Sequence, residues 1–136
     1  MRKILFFAIF VSAFGFDIDD LDKGMDALRK EDYKTAFEIF HIGCEADDAL
    51  ACEELGMMYV NNEVPSELDA REQKAKIGLE YFLKSCEKLE YMNACDDIVS
   101  LKGEFMPLFG TEIFNRASKK YDELLREFKS DTNTSE

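Results

Sequence analysis

Residues Tyr33–Tyr59, YKTAFEIFHIGCEADDALACEELGMMY, decide the fold, because the chain repeats them. Laid on Gly78–Lys102, GLEYFLKSCEKLEYMNACDDIVSLK, Ala36 falls on Gly78, Phe40 on Phe82 and Cys44 on Cys86, each 42 residues on. After a one-residue insertion Ala51 falls on Ala94, Cys52 on Cys95 and Leu55 on Ile98. Self-similarity at this period marks stacked supersecondary units, none of which buries its apolar face alone. Inside the first copy, apolar residues at 33, 36, 37, 40 and 44 give a helix with one buried face. Glu45–Asp48 is a polar turn, where Asp47 or Asp48 can cap the helix that follows. That helix runs from about Ala49 to Val60, with Ala51, Leu55 and Met58 turned inward and Gly43 and Gly56 permitting close helix crossings. The pattern is that of an all-α protein built from helical hairpins.

Working outward, Leu21, Met25 and Leu28 form a helical stripe in residues 16–29, with Asp17, Asp19 and Asp20 suited to the N-terminal dipole. Downstream, Asn61–Ser66 contains Pro65 and breaks the helix; as the longest interior connection it is the expected mobile edge or ligand lip. Helical pattern resumes near Leu68 or Asp69 and runs to about Leu89, turns at Glu90–Tyr91, and continues over Asn93–Leu101. Gly103 is expected to end that helix, and 104–110, apolar but interrupted by Pro107 and Gly110, to form a loop packed on the last helices. Thr111 can cap a final helix from Glu112 to Lys129, striped by Ile113, Phe114, Ala117, Tyr121, Leu124, Leu125 and Phe128. It has no cysteine and fits no repeat register, so it reads as a capping helix. The organisation is one domain over 16–129, with repeat one at about 30–62, repeat two at about 70–103, a cap at about 111–129, and a flexible tail over 130–136.

Arg2 and Lys3 followed by the almost wholly apolar Ile4–Phe14 form a secretory signal peptide over 1–15, with cleavage after 13 or 15. It is short for a membrane span, and no span is expected once it is removed. Periplasmic or secreted placement follows, and in such a compartment the four cysteines form a disulfide framework. Three pairings are possible. The repeat favours Cys44–Cys52 and Cys86–Cys95, since each unit then carries its own bridge. A metal site is not expected, with His41 the only histidine and no close C-x2-C pair, and no cofactor is expected either. Net charge is −12, and −14 once Arg2 and Lys3 are gone, which disfavours nucleic acid or an anionic membrane as partner and leaves a basic protein, a cationic peptide or a charge-neutral groove ligand open.

The spacing Ala51-x-x-x-Leu55-Gly56-x-x-Tyr59, preceded by Ala36-x-x-x-Phe40-x-x-Gly43-Cys44, closely resembles the Sel1-like repeat, a relative of the tetratricopeptide repeat. With a cysteine pair per hairpin and a signal peptide in front, it is similar to the secreted cysteine-rich Sel1-like proteins of Helicobacter and Campylobacter relatives. The resemblance spans roughly Leu21–Lys102; the second unit departs from it, with Val99 in place of Gly56 and Lys102 in place of Tyr59. It implies a short right-handed α-solenoid of bridged hairpins, again with 44–52 and 86–95 joined. For function it implies either contact with envelope, periplasmic or host proteins, or penicillin binding with weak beta-lactamase activity.

Two readings of function are therefore carried, beside a purely structural role in the envelope. Stacked hairpins offer a concave face to a protein or peptide, with Glu54, Met57, Tyr59, Asn61 and Asp97 as the binding rim and the bridges purely structural. The alternative, beta-lactam binding or slow hydrolysis, needs a nucleophile and a base. Ser85-Cys86-Glu87-Lys88 has the S-x-x-K spacing, but neither S-D-N nor K-T-G is present, so no catalytic residue is assigned. His41 reads as a histidine at the solvent edge. Glu53-Glu54 and Asp96-Asp97 recur at matching places in both units, yet neighbours on a helix diverge, so neither pair is a ready acid–base couple.

Overall fold

Three helices of this chain end by the same device, and the device sets the turns that follow them. The structure, a computed structural model, describes residues 15–65 and 70–134. Among them are seven α-helices: α1 (Ile18–Arg29), α2 (Tyr33–Glu45), α3 (Ala49–Val60), α4 (Arg71–Leu83), α5 (Met92–Ser100), α6 (Lys102–Phe109) and α7 (Glu112–Asn133). A π-helical turn, Lys84–Lys88, extends α4. After α1, α2 and α3 the chain enters the left-handed region at Glu31, Asp47 and Asn62, with φ of 57°, 61° and 60°. The next amide then reaches back five residues to a carbonyl, Asp32 to Ala27, Asp48 to Gly43 and Glu63 to Met58, at 2.8–3.0 Å. These are Schellman closures, which satisfy the orphaned carbonyls and turn the chain sharply. Aspartates open the helices: Asp17, Asp32 and Asp48 accept from Asp20, Thr35 and Ala51 amides respectively, and Asp17 with Asp20 completes a capping box.

The second hairpin closes at Glu90 (φ 58°), but there the amide of Tyr91 reaches back six residues to the Ser85 carbonyl at 3.0 Å. The extra residue is the insertion seen between the repeats, and the wider π turn absorbs it without disturbing either flanking helix. Cys44 is bonded to Cys52, and Cys86 to Cys95, so each hairpin carries its own bridge, with all four cysteines buried.

The hairpins α2–α3 and α4–α5 stack through α3 against α4. There Gly56 and Gly78 face each other: a Cβ on Gly56 would stand 2.9 Å from the Gly78 carbonyl oxygen, and one on Gly78 2.7 Å from that of Gly56. At the preceding junction Gly24 of α1 lies on the Phe40 ring, where an added Cβ would meet it at 2.6 Å. Two cores result, one around Phe40, Leu55 and Met58, the other around Phe82, Ile98 and Phe114. The π turn ties the hairpins together: Lys84 donates to the Cys44 carbonyl at 2.6 Å and pairs with Asp47 at 3.1 Å, and the Ser85 hydroxyl donates to the Ala49 carbonyl at 2.8 Å.

Four expectations are corrected. Residues 104–110 are not a loop: α6 runs through Gly103 and Pro107, burying Phe105, and ends only at Gly110, φ 77°. Pro107 is tolerated because the residue four back is the exposed Gly103, so the lost bond leaves its carbonyl within reach of water. Thr111 stands at the N-cap of α7 without capping it, since its side chain makes no bond to the helix and its backbone is already helical. The tail does not begin at Ser130, because α7 continues to Asn133, with Ser130 and Thr132 hydroxyls bonded to carbonyls one turn back. The cap also has a register: Ala117-x3-Tyr121-x3-Leu125 repeats Ala36-x3-Phe40-x3-Cys44 and Gly78-x3-Phe82-x3-Cys86. Accordingly α7 packs on α5 as α4 does on α3 and α2 on α1. The signal peptide, apart from Gly15, the expected helix start near Leu68 or Asp69, and the last two residues lie outside the described residues. No helix among the described residues is long and apolar enough to cross a membrane.

Candidate functional site

Along α3, Glu54, Met57 and the C-cap Asn61 are spaced by three and four residues and share one face; along α5, Asp97 and the C-cap Leu101 are spaced by four and do the same. Stacking the hairpins sets these two faces along one groove. At one end Glu53 and Glu54 meet Asp97. At the other a cleft of about 440 Å³ is lined by Met57, Val60, Asn61, Arg71, Leu101 and Glu104. Arg71 and Glu104 close its outer lip with an ion pair at 2.9 Å. Of the five expected rim residues, Met57 and Asn61 line this cleft, and Glu54 and Asp97 come together at the acidic end. Tyr59 does neither. It turns to the opposite side, where its ring stacks on Tyr81 at 5.5 Å and meets Phe37 edge-on at 6.0 Å.

The acidic end has unusual electrostatics. Glu53 is half-buried, and desolvation, reinforced by a hydrogen bond to Asp97 and by the charges of Asp97 and Glu54, pushes its carboxyl up to about 8. Glu54 is raised too, first by burial and then by Asp97 and Glu63. Two carboxyls this close disfavour a second negative charge, which keeps the Glu53 carboxyl protonated at neutral pH. Burial also raises the Tyr91 hydroxyl, which accepts from the Asn93 amide at 3.1 Å on the same flank. Among the described residues no Lys, Arg or His forms an ion pair with Glu53, Glu54 or Asp97. After burial, Asp97 of the other hairpin acts on Glu53 more strongly than its own neighbour Glu54 does. The sequence signal was the recurrence of two acids 43 residues apart; that Glu53 and not only Glu54 faces the groove depends on how far the second hairpin is rotated.

The S-x-x-K pair is not assembled for chemistry. Ser85 is wholly buried and its hydroxyl is committed to the Ala49 carbonyl, while Lys88 is exposed and stands 3.9 Å from Asp47. A nucleophile needs access to substrate and a base within hydrogen-bond reach, and Ser85 has neither. His41 is half-buried with its ring stacked on Phe37 at 5.7 Å. Among the described residues no cluster of His, Cys, Asp and Glu is arranged to hold a metal ion. No family model matches the chain, and neither does any curated protein or solved structure.

Proposed function

We propose that the chain is an exported, disulfide-stapled helical-repeat protein that binds a basic segment of a protein or peptide partner. The carrying observation is the groove between α3 and α5, where Glu53, Glu54 and Asp97 converge from two hairpins and form no ion pair with a cation among the described residues. A lysine or arginine of the partner would supply that charge, and an apolar neighbour in the partner would enter the cleft beside Met57 and Leu101. The resemblance of the hairpins to the Sel1-like repeat, and with it a right-handed solenoid, agrees with such a binding scaffold. The signal-like start and the cysteine bridges agree with a periplasmic or secreted setting.

The groove's raised carboxyl gives the reading a distinctive thermodynamic signature. A cation seated beside Glu53 stabilises the carboxylate, so binding releases a proton and tightens as pH rises from 6 towards 8.5. The experiment is calorimetric titration of the oxidised protein with a Lys/Arg-rich amphipathic peptide and with its Glu-substituted counterpart. The cationic peptide should bind, and the E53Q/E54Q/D97N variant should bind it at least about tenfold more weakly, a loss of about 1.4 kcal/mol or more. Equal affinity in the triple variant would sink the proposal. Turnover of a penicillin or cephalosporin by homogeneous protein would replace it with the alternative reading.

A further inference from the structure

The register of α7 matches that of α2 and α4, the first helices of the two bridged hairpins. In the first two units the third position of the register is a cysteine bonded to the second helix of the hairpin; in α7 it is Leu125. Leu125 belongs to neither core, and Phe128, one turn on, is 61% exposed. Only Phe114 and Ala117 of this 22-residue helix are buried, with Tyr121 and Leu124 packed against the second core. The C-terminal half of α7 therefore presents an apolar stripe on the side where α2 and α4 receive their partner helices.

We infer that this stripe is covered by α7 of a second copy, lying antiparallel across a two-fold axis at Leu125. The argument is charge complementarity. Asp122 lies three residues before Leu125 and Lys129 four after it, so both share its face. Both are exposed and neither forms an ion pair within the chain among the described residues. In an antiparallel pair centred on Leu125, Asp122 of each copy comes opposite Lys129 of the other, and Leu125 meets its own equivalent. Each Phe128 then covers the partner stripe beyond the dyad. The surface is thus complementary to itself, as a two-fold interface requires. The helix as a whole carries five acids and five bases, so it is a neutral element of a chain at −12, and the one along which two copies approach without net repulsion between the helices. This inference is independent of the groove between α3 and α5.

Sedimentation equilibrium of the oxidised full chain tests it, over concentrations up to about 1 mM, the range in which a weak interface is populated. A monomer–dimer equilibrium is expected, with F128E monomeric throughout and native helicity retained. D122K and K129D should each weaken the dimer about tenfold, and D122K/K129D, which restores opposite charges across the axis, should recover it. A wild-type chain that stays monomeric would overturn the inference, as would a dimer that survives F128E. Open-ended growth with concentration would point to head-to-tail contact with α1 and would overturn it as well. So would failure of the double exchange to rescue dimers weakened by the single ones.

Discussion

Glu53 holds its proton into a range where a solvated glutamate has long lost it, because half-burial and the neighbouring Asp97 both disfavour a second negative charge. Its folded value, about 8, lies above the unfolded value near 4.5. The folded state is therefore unpenalised below about pH 4.5 and is progressively destabilised as pH rises through 8. E53Q should leave the melting temperature nearly unchanged at pH 5 and raise it by several degrees at pH 9, as read by far-UV circular dichroism; an equal shift at both would rule out this origin. Glu31 makes a different point at the same scale. It sits at φ 57° closing α1, a conformation that costs a side-chain-bearing residue about 1–2 kcal/mol. E31G should stabilise the fold by about 0.5–1 kcal/mol in urea denaturation, after allowing for the greater chain entropy glycine loses. Neither value was legible in the sequence. Lys30-Glu31-Asp32 announced a tight connection, but no glycine marked the left-handed residue, and the partner of Glu53 lies 44 positions away.

Among the elements, α3 and α4 approach backbone to backbone. Gly78 lies against the backbone oxygen of Gly56 and the side chain of Val60, leaving no room for a methyl group. Alanine is the better helix former by about 1 kcal/mol, yet G78A should still lose about 1–2 kcal/mol overall, because the opposing atom is backbone and cannot rotate away. The loss would appear as a lower urea midpoint at unchanged slope. Gly56 was readable as a crossing point, whereas Gly78 aligned with Ala36 and gave no separate signal. The π turn was likewise visible only as a one-residue insertion. Sequence shows that a residue has been added; it does not show whether a loop, a bulge or a widened helical turn takes it up. The hydrogen bonds of Lys84 and Ser85 to the first hairpin explain the choice, since a looped-out residue would have cost the two contacts that join the hairpins.

For the whole molecule, stability depends on two bridged hairpins sharing the α3–α4 junction. Removing the second bridge as C86A/C95A should cost about 2–3 kcal/mol, the chain-entropy value for a closed loop of this length. Because the cores adjoin at that junction, the loss should lower a single unfolding transition by differential scanning calorimetry; two resolved transitions would show that the hairpins unfold independently. The sequence by itself determined the helical class, the two hairpins, and the apolar faces that form the cores. Those properties follow from periodicity and repetition, which are local or nearly so. It favoured the cysteine pairing through the same repetition, and the structure supplied the bonded pairs. Only the tertiary structure decided that Glu53 rather than its neighbour bonds to Asp97, that Tyr59 leaves the groove its neighbours line, and that Ser85 is buried beneath the hairpin turn. It also decided that residues 102–109 are helical and that α7 takes the register of a first helix while leaving Leu125 half-buried and Phe128 exposed. Each of those depends on how far one helix is rotated or displaced against another, a quantity fixed by packing between distant segments and carried by no single stretch of the chain.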